Sequence, residues 1–145
     1  MKKIPTIQTV MTPFPWSVDS DAPLRLARRR MQEHEIRHLP VSHDGRLVGV
    51  LTDRDLKRAL DPSLGMPPKD ELFVEDVMVR DAYVVPTTTA LDRVLQEMAE
   101  QHIGCALVTR EGKLAGIFTT TDACAEFAEH LRRDHGADPG DDDVA

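Results

Sequence analysis

Cysteine is scarce: Cys105 and Cys124 are the only two in 145 residues. They occupy different positions of an internal repeat, and the first half carries His38 and Lys57 in their places. That mismatch favours two reduced thiols, in the core or half-buried, over a disulfide or a metal pair. No stretch approaches the apolar length of a membrane span, and Met1-Lys2-Lys3-Ile4-Pro5 lacks the long apolar run of a secretory signal. The expectation is a cytoplasmic protein with no membrane partner. Nothing resembling a nucleophile-base pair or a metal triad is present, so no catalytic residue and no metal ligand is assigned. Positive charge is also short. The net charge of −7 argues against nucleic acid as a specific partner, although residues 132–145, with two arginines and five aspartates, account for −3 of it. That tail, rich in Gly, Pro and Asp, reads as disordered and solvating. A phosphate-binding pocket elsewhere is compatible with this balance.

What the chain does have is a second copy of itself. Val10-Met11-Thr12 returns as Val77-Met78-Val79, Gly45-Arg46-Leu47-Val48-Gly49 as Gly112-Lys113-Leu114-Ala115-Gly116, and Thr52-Asp53-Arg54-Asp55 as Thr119-Thr120-Thr121-Asp122, always 67 residues later. The same offset relates Val18 to Val85, Leu24 to Leu91, Met31 to Met98, Ile36 to Ile103 and Val41 to Val108. A shared offset without gaps marks one supersecondary unit used twice. At this length neither unit buries much core alone, so the two should pack about a pseudo-twofold axis with paired sites facing a cleft.

Each copy reads as strand, helix, strand, strand, helix. A brief strand near residues 16–18 or 83–85 leads into a helix. The cap is expected from Ser20-Asp21 ahead of Ala22-Pro23 in copy one and from residues 87–89 in copy two. Leu24, Ala27 and Met31, and then Leu91, Val94, Leu95 and Met98, recur at helical spacing. A hairpin follows (39–42 and 47–52; 106–109 and 114–119), with Gly45 and Gly112 where the turn needs positive φ. The fold class is therefore α+β, with repeat one over 8–60, a Pro- and Gly-rich linker over 61–73, repeat two over 74–131 and the acidic tail over 132–145.

Both hairpins end in Gly-apolar-apolar-Thr-x-x-Asp, at Gly49 to Asp55 and Gly116 to Asp122. The threonine stands where a buried strand stops, and the aspartate falls in the first turn of the next helix. Free amides at a helix start attract phosphate, a hydroxyl beside them donates to the same oxygens, and a carboxylate accepts from both hydroxyls of a ribose. Thr and Asp at such a junction are also ordinary capping residues. Two occurrences at one repeat position favour a nucleotide.

Here the sequence resembles the CBS domain family, named after cystathionine β-synthase. The resemblance rests on the Val-Met-Thr-Pro opening, Ile36-Arg37-His38-Leu39-Pro40-Val41, Asp44-Gly45-Arg46-Leu47-Val48-Gly49-Val50-Leu51 and Thr52-Asp53-Arg54-Asp55-Leu56, and on their second-copy counterparts. The whole is similar to a tandem pair, or Bateman module. The resemblance implies a cleft for adenosine-containing ligands such as AMP, ADP, ATP or S-adenosylmethionine, with no required cofactor, in modules that often pair as homodimers. It places phosphate and ribose at Thr52 and Asp55, and at Thr119 and Asp122, with Arg54 and Thr121 facing the ligand. Arg37 and His38 fall where basic residues often reach phosphate, and adenine would lie near Leu39 and Val50, or near Ala106 and Ile117. Opposite Arg37, His38 and Arg54 the second copy has Gly104, Cys105 and Thr121. The copy-one site should therefore take the more highly phosphorylated ligand.

His34-Glu35-Ile36-Arg37-His38 matches the zinc-protease pattern H-E-x-x-H, but Pro40 disfavours helix at Leu39 and the repeat places 36–41 at a helix exit. None of the six histidines makes a tight ligand set with a cysteine and most are expected in solvent, and Arg28-Arg29-Arg30 reads as a solvated helix face or a docking surface for an acidic partner. The functional expectation is a regulatory module that signals to another, unknown chain through altered cleft or dimer geometry. The alternatives are a dimerisation scaffold with vestigial pockets and an enzyme acting on a nucleotide.

Overall fold

The computed structural model describes residues 3–61 and 72–136. The element order is β1 (Thr12–Pro13), β2 (Val18–Asp19), α1 (Leu24–His34), β3 (His38–His43), β4 (Arg46–Thr52) and α2 (Asp53–Ala59) in the first half. The second half continues with α3 (Val74–Val77), β5 (Val84–Pro86), α4 (Leu91–Gln101), β6 (Cys105–Arg110), β7 (Lys113–Thr119) and α5 (Thr120–Asp134). A single 3-10 turn, Ile7–Thr9, precedes β1 and matches α3. The fold is the expected α+β duplication. Most of the linker assigned to 61–73 and most of the tail assigned to 132–145 lie outside the described residues. At their described edges, Leu72 is buried in the first core and α5 runs through Asp134.

Each half makes a parallel pair closed by a hairpin. β2 runs parallel to β3, which pairs antiparallel with β4; β5, β6 and β7 repeat this. The two-residue turns place Asp44 and Gly45 at φ 51° and 78°, and Glu111 and Gly112 at 54° and 80°. Two successive positive φ values match the right-handed strand twist, and glycine takes the second at no steric cost.

The halves exchange their leading segments. β1 pairs not with its own repeat but with β7, Thr12 opposite Ile117, so the second sheet has the order β1-β7-β6-β5. The reciprocal contact is Val79 against Val50, with N–H···O distances of 2.8 and 3.0 Å in the two directions. Ile7 is fully buried in the second core, and Val74, its counterpart, in the first. The crossing segments pass over Gly49 and Gly116: a Cβ on Gly49 would lie 2.5 Å from the Val79 carbonyl oxygen, and one on Gly116 would meet the Met11 side chain.

The same exchange corrects the expected caps. Neither Ser20-Asp21 nor the threonines at 87 and 89 caps a helix through its side chain; the N-cap residues are Pro23 and Ala90. The N–H of Leu24 instead donates to the carbonyl of Leu72 (3.0 Å), and that of Leu91 to the carbonyl of Pro5 (2.9 Å). Helix starts carry donors that their own turn cannot satisfy. Here the other repeat's backbone supplies an acceptor. A third, central cluster of Val50, Cys105, Leu107 and Ile117 joins the two halves.

Candidate functional site

α2 and α5 begin where the fully buried apolar runs of β4 and β7 end. Thr52 and Thr119 are their N-caps, with extended φ/ψ, and each threonine Oγ1 accepts the aspartate N–H three residues on, at 3.1 Å for Asp55 and 3.3 Å for Asp122. Each hydroxyl then donates to that aspartate's Oδ2, at 2.8 Å for Thr52 to Asp55 and 3.1 Å for Thr119 to Asp122. In the second repeat the Thr119 N–H also donates to Asp122 Oδ2 at 2.9 Å, completing a capping box. The capping reading of these residues therefore holds. It does not use up the carboxylates, which have about four lone-pair sites each.

The helix start is more fully occupied than the sequence suggested. Thr120 N–H donates to the Gly104 carbonyl at 3.0 Å, and Asp53 N–H to the Arg37 carbonyl at 2.8 Å. At α5 the donors of Thr119, Thr120 and Asp122 are thus already taken, three of the roughly four that a helix start offers. Any phosphate recognition there must rest mainly on side chains.

Those side chains come from both repeats. A cavity of about 490 Å³ is lined on one wall by Thr12, Pro15 and Trp16 and by residues 35–38 at the exit of α1. The other wall is Ile117 and residues 119–122 at the start of α5. Arg37 and His38 therefore share this cavity with Thr119, Thr121 and Asp122, while in the β3–β4 ladder His38 stands opposite Thr52. Of the three potential cations, two line this cavity with Thr119 and Asp122, and Arg54 lies at the start of α2 between Thr52 and Asp55. The exchange of leading segments causes this, because it brings β1 and the loop after it onto β7. Applying the 67-residue relation, the matching surface at Thr52 and Asp55 comprises Val79, Ala82, Tyr83, His102, Ile103, Gly104, Cys105 and Val50. Opposite its threonine and aspartate it has no side-chain cation at 104 or 105.

Leu39 and Ala106 are fully buried in the first and second cores, and Val50 is 5% exposed in the central cluster. Of the four apolar residues expected near adenine, Ile117 alone is among those lining the described cavity. Thr12, Pro15, Trp16, Glu35, Ile36 and Thr120 were not anticipated. Trp16, the only tryptophan, stacks on His34 with ring centroids 3.7 Å apart and planes 9° apart. A lone indole after a proline was a usable signal, but the cavity it lines depends on the partner repeat.

His38 packs against Gly104 across the repeat interface: a Cβ on Gly104 would lie 2.9 Å from His38 Nε2. Burial, and then the Arg37 charge, lower the His38 pKa below 6.5, with Asp53 opposing. The neutral imidazole is therefore the favoured form near pH 7. Asp53 itself pairs with Lys57 at 3.1 Å.

The H-E-x-x-H match breaks in space. α1 ends at His34, Glu35 turns left-handed at φ 53°, and His38 opens β3. Among the described residues no group of three or more His, Cys, Asp or Glu side chains could hold a metal ion, and no helix is long and apolar enough to cross a membrane. Cys105 is buried, which pushes its thiol up to about 11, whereas Cys124 is exposed rather than half-buried.

Comparison with known proteins agrees with this geometry. The chain is 31% identical over 128 residues to hypoxic response protein 1 of Mycobacterium tuberculosis, covering 86% of this chain and 87% of that protein. It is 29% identical over 123 residues to inosine-5′-monophosphate dehydrogenase of Thermoplasma acidophilum, covering 84% of this chain but only 24% of the enzyme. The crystal structure of CBSX2 in complex with AMP superposes with a TM-score of 0.76 at 26% identity, covering 88% of this chain and 99% of that one. The CBS domain model matches residues 7–62 and again 74–129, and the chain belongs to the CBS domain family, as a tandem pair.

Proposed function

We propose that this chain is a regulatory module that binds an adenosine-containing ligand across its two repeats and passes the change in geometry to another protein. The observation that carries this reading is the convergence of Arg37 and His38 from repeat one with Thr119, Thr121 and Asp122 from repeat two on one cavity. Its volume lies within the range of roughly 300–1,000 Å³ typical of small-molecule sites. The AMP held by CBSX2, a structure of the same fold and similar sequence, supports the ligand class.

Electrostatics orients the ligand. The Asp122 carboxylate repels phosphate and accepts from ribose hydroxyls, so the ribose belongs at Asp122. The phosphate belongs at Arg37, whose guanidinium donates to two oxygens at once, and at His38. Thr119 and Thr121 add hydroxyl donors. A phosphate beside His38 raises its pKa and favours the imidazolium, reversing the effect of burial. The phosphorylated ligand therefore belongs in the Thr119/Asp122 cavity, and the surface at Thr52 and Asp55, with Arg54 as its cation, is left to the less charged ligand. A ligand gripping both repeats stabilises whichever relative arrangement closes the cavity, and it shifts that equilibrium only by its differential affinity for the two.

The deciding experiment is a thermal-stabilisation and calorimetric series with AMP, ADP, ATP, NAD, GTP and S-adenosylmethionine, with turnover assayed in parallel. Saturable stabilisation without turnover is expected, because a bound ligand raises stability by mass action. Turnover would make the chain an enzyme. No binding by any member would leave a scaffold. We also read the chain as a homodimer, whose geometry is the simplest carrier of the signal.

A further inference from the structure

The cavity shared by Arg37 and Asp122 has one charged lining residue with no role assigned so far. Glu35 lies two residues before Arg37 and directly after His34, on which Trp16 stacks. It is exposed, and among the described residues its carboxylate makes neither an ion pair nor a hydrogen bond. Local physics disfavours an acid at this position twice. Glu35 ends α1 in the left-handed conformation, at φ 53° and ψ 45°, where glycine or asparagine is the usual choice because a Cβ is crowded there. A helix C-terminus also carries partial negative charge, which repels a carboxylate beside it. The turn itself is made by backbone, since the N–H groups of Glu35 and Ile36 both donate to the Met31 carbonyl. Repeat two makes the same turn with His102, at φ 56° and ψ 41°, a residue without that repulsion. The turn therefore does not call for an acid. A residue that breaks two local rules with no return in bonding marks a functional constraint.

The charges of the lining say what that constraint is. Besides Glu35 they are Arg37, Asp122 and the titratable His38, so with a neutral imidazole one guanidinium stands against two carboxylates. A nucleoside monophosphate brings a charge of about −1.5 to −2, which Arg37 and a protonated His38 balance. With the ribose at Asp122 and the first phosphate at Arg37, a longer phosphate chain extends along the wall to which Glu35 belongs. It finds no further cation in this lining and meets a carboxylate. We infer that Glu35 makes the cavity selective for a nucleoside monophosphate over the di- and triphosphate. This rests on reading the cavity as a nucleotide site and adds the phosphorylation state that it accepts. Like charge set against the wrong ligand is a direct route to discrimination, and it acts on ATP more than on AMP because ATP brings more charge.

The test is titration of the full chain with AMP, ADP and ATP in EDTA, followed by the fluorescence of Trp16, which lines this cavity, and by calorimetry, at low and high salt. The parent should bind ADP and ATP at least ~tenfold more weakly than AMP. Glu35→Gln keeps the size and removes the charge; it should tighten ATP by about tenfold and AMP by no more than about threefold. Its melting temperature should equal or slightly exceed the parent's, because the repulsion at the end of α1 is relieved. Glu33→Gln removes another exposed carboxylate of α1, one that does not line the cavity, and should leave the ratio of ATP to AMP affinity within about twofold. Added salt should narrow the parent's preference by screening. ATP bound as tightly as AMP by the parent, a preference that survives in Glu35→Gln, or an equal effect of Glu33→Gln overturns the inference and leaves the cavity a nucleotide site. No binding of AMP, ADP or ATP by either method overturns the phosphate site at Arg37, and the inference falls with it.

Discussion

Arg37→Ala tests the composite cavity most directly, because the two ways of grouping this residue predict opposite patterns. In the folded protein Arg37 lines the same cavity as Asp122 and Trp16, whereas along the chain its neighbour motif is Thr52 and Asp55. The single tryptophan gives a local readout: a nucleotide entering this cavity changes the environment of an indole that forms part of its wall. A charge-assisted hydrogen bond to phosphate contributes about 1.5–3 kcal/mol, so Arg37→Ala should weaken the affinity reported by Trp16 by roughly 10- to 150-fold. Asp122→Asn is preferable to alanine as its companion, since asparagine keeps an acceptor for the Thr119 N–H and spares the α5 cap, whose loss alone costs about 0.5–2 kcal/mol. It should weaken binding by about tenfold, and it should couple to Arg37→Ala, because residues gripping one ligand interact by about 0.5–3 kcal/mol. Asp55→Asn should leave the Trp16-reported affinity within about twofold and add independently to Arg37→Ala. Trp16→Phe, followed by calorimetry, controls for the probe. If Asp55→Asn weakens the Trp16 signal as much as Asp122→Asn does, or Arg37→Ala leaves it unchanged, the cross-repeat cavity is wrong.

The remaining predictions concern stability and reactivity. Gly49→Ala drives a Cβ against the Val79 carbonyl and stretches the two hydrogen bonds between Val50 and Val79, costing about 1–3 kcal/mol, or roughly 3–10 °C in a thermal melt. Gly116→Ala meets the flexible Met11 side chain and should cost less than half of that; equal losses would refute the role given to the crossing backbone. His38 has a folded pKa below its unfolded value near 6.5, so the unfolded chain binds the extra proton. Its contribution to stability is full above pH 6.5 and is lost as pH falls from there through the folded pKa. His38→Gln should accordingly flatten the fall in melting temperature between pH 7 and 5.5, and an unchanged slope would contradict the assignment. With an aromatic disulfide reagent at pH 8, Cys124 should react at once and Cys105 only on unfolding, so Cys124→Ser should abolish the fast phase.

Much of the fold was legible because it is encoded locally. Val18 to Val41 and their counterparts at Val85 and Val108, the glycine of each hairpin, and the Leu24-Ala27-Met31 stripe each rest on a period or a turn preference that a few neighbouring residues determine. The Thr-x-x-Asp junctions were legible for the same reason, since an N-cap threonine and its aspartate are three residues apart. The α1 and α4 caps were misread where the local rule was outweighed. Ser20 and the threonines at 87 and 89 are good capping residues, yet it is the carbonyls of Leu72 and Pro5, on the exchanged segments, that accept the N–H groups of Leu24 and Leu91.

By itself, then, the sequence determined a twofold repeat of one α+β unit, the strand and helix order within it, and two carboxylates placed at helix starts. Only the tertiary structure decided which residues share a cavity. β1 pairs with β7 and Val79 with Val50, and this carries Arg37, His38 and Trp16 to Thr119 and Asp122. Such pairings join segments about a hundred residues apart in one case, and their stability comes from burying Ile7 and Val74 in the opposite cores rather than from any local preference. The repeat relation states that the two halves are alike; the exchange between them states whose side chains face whom.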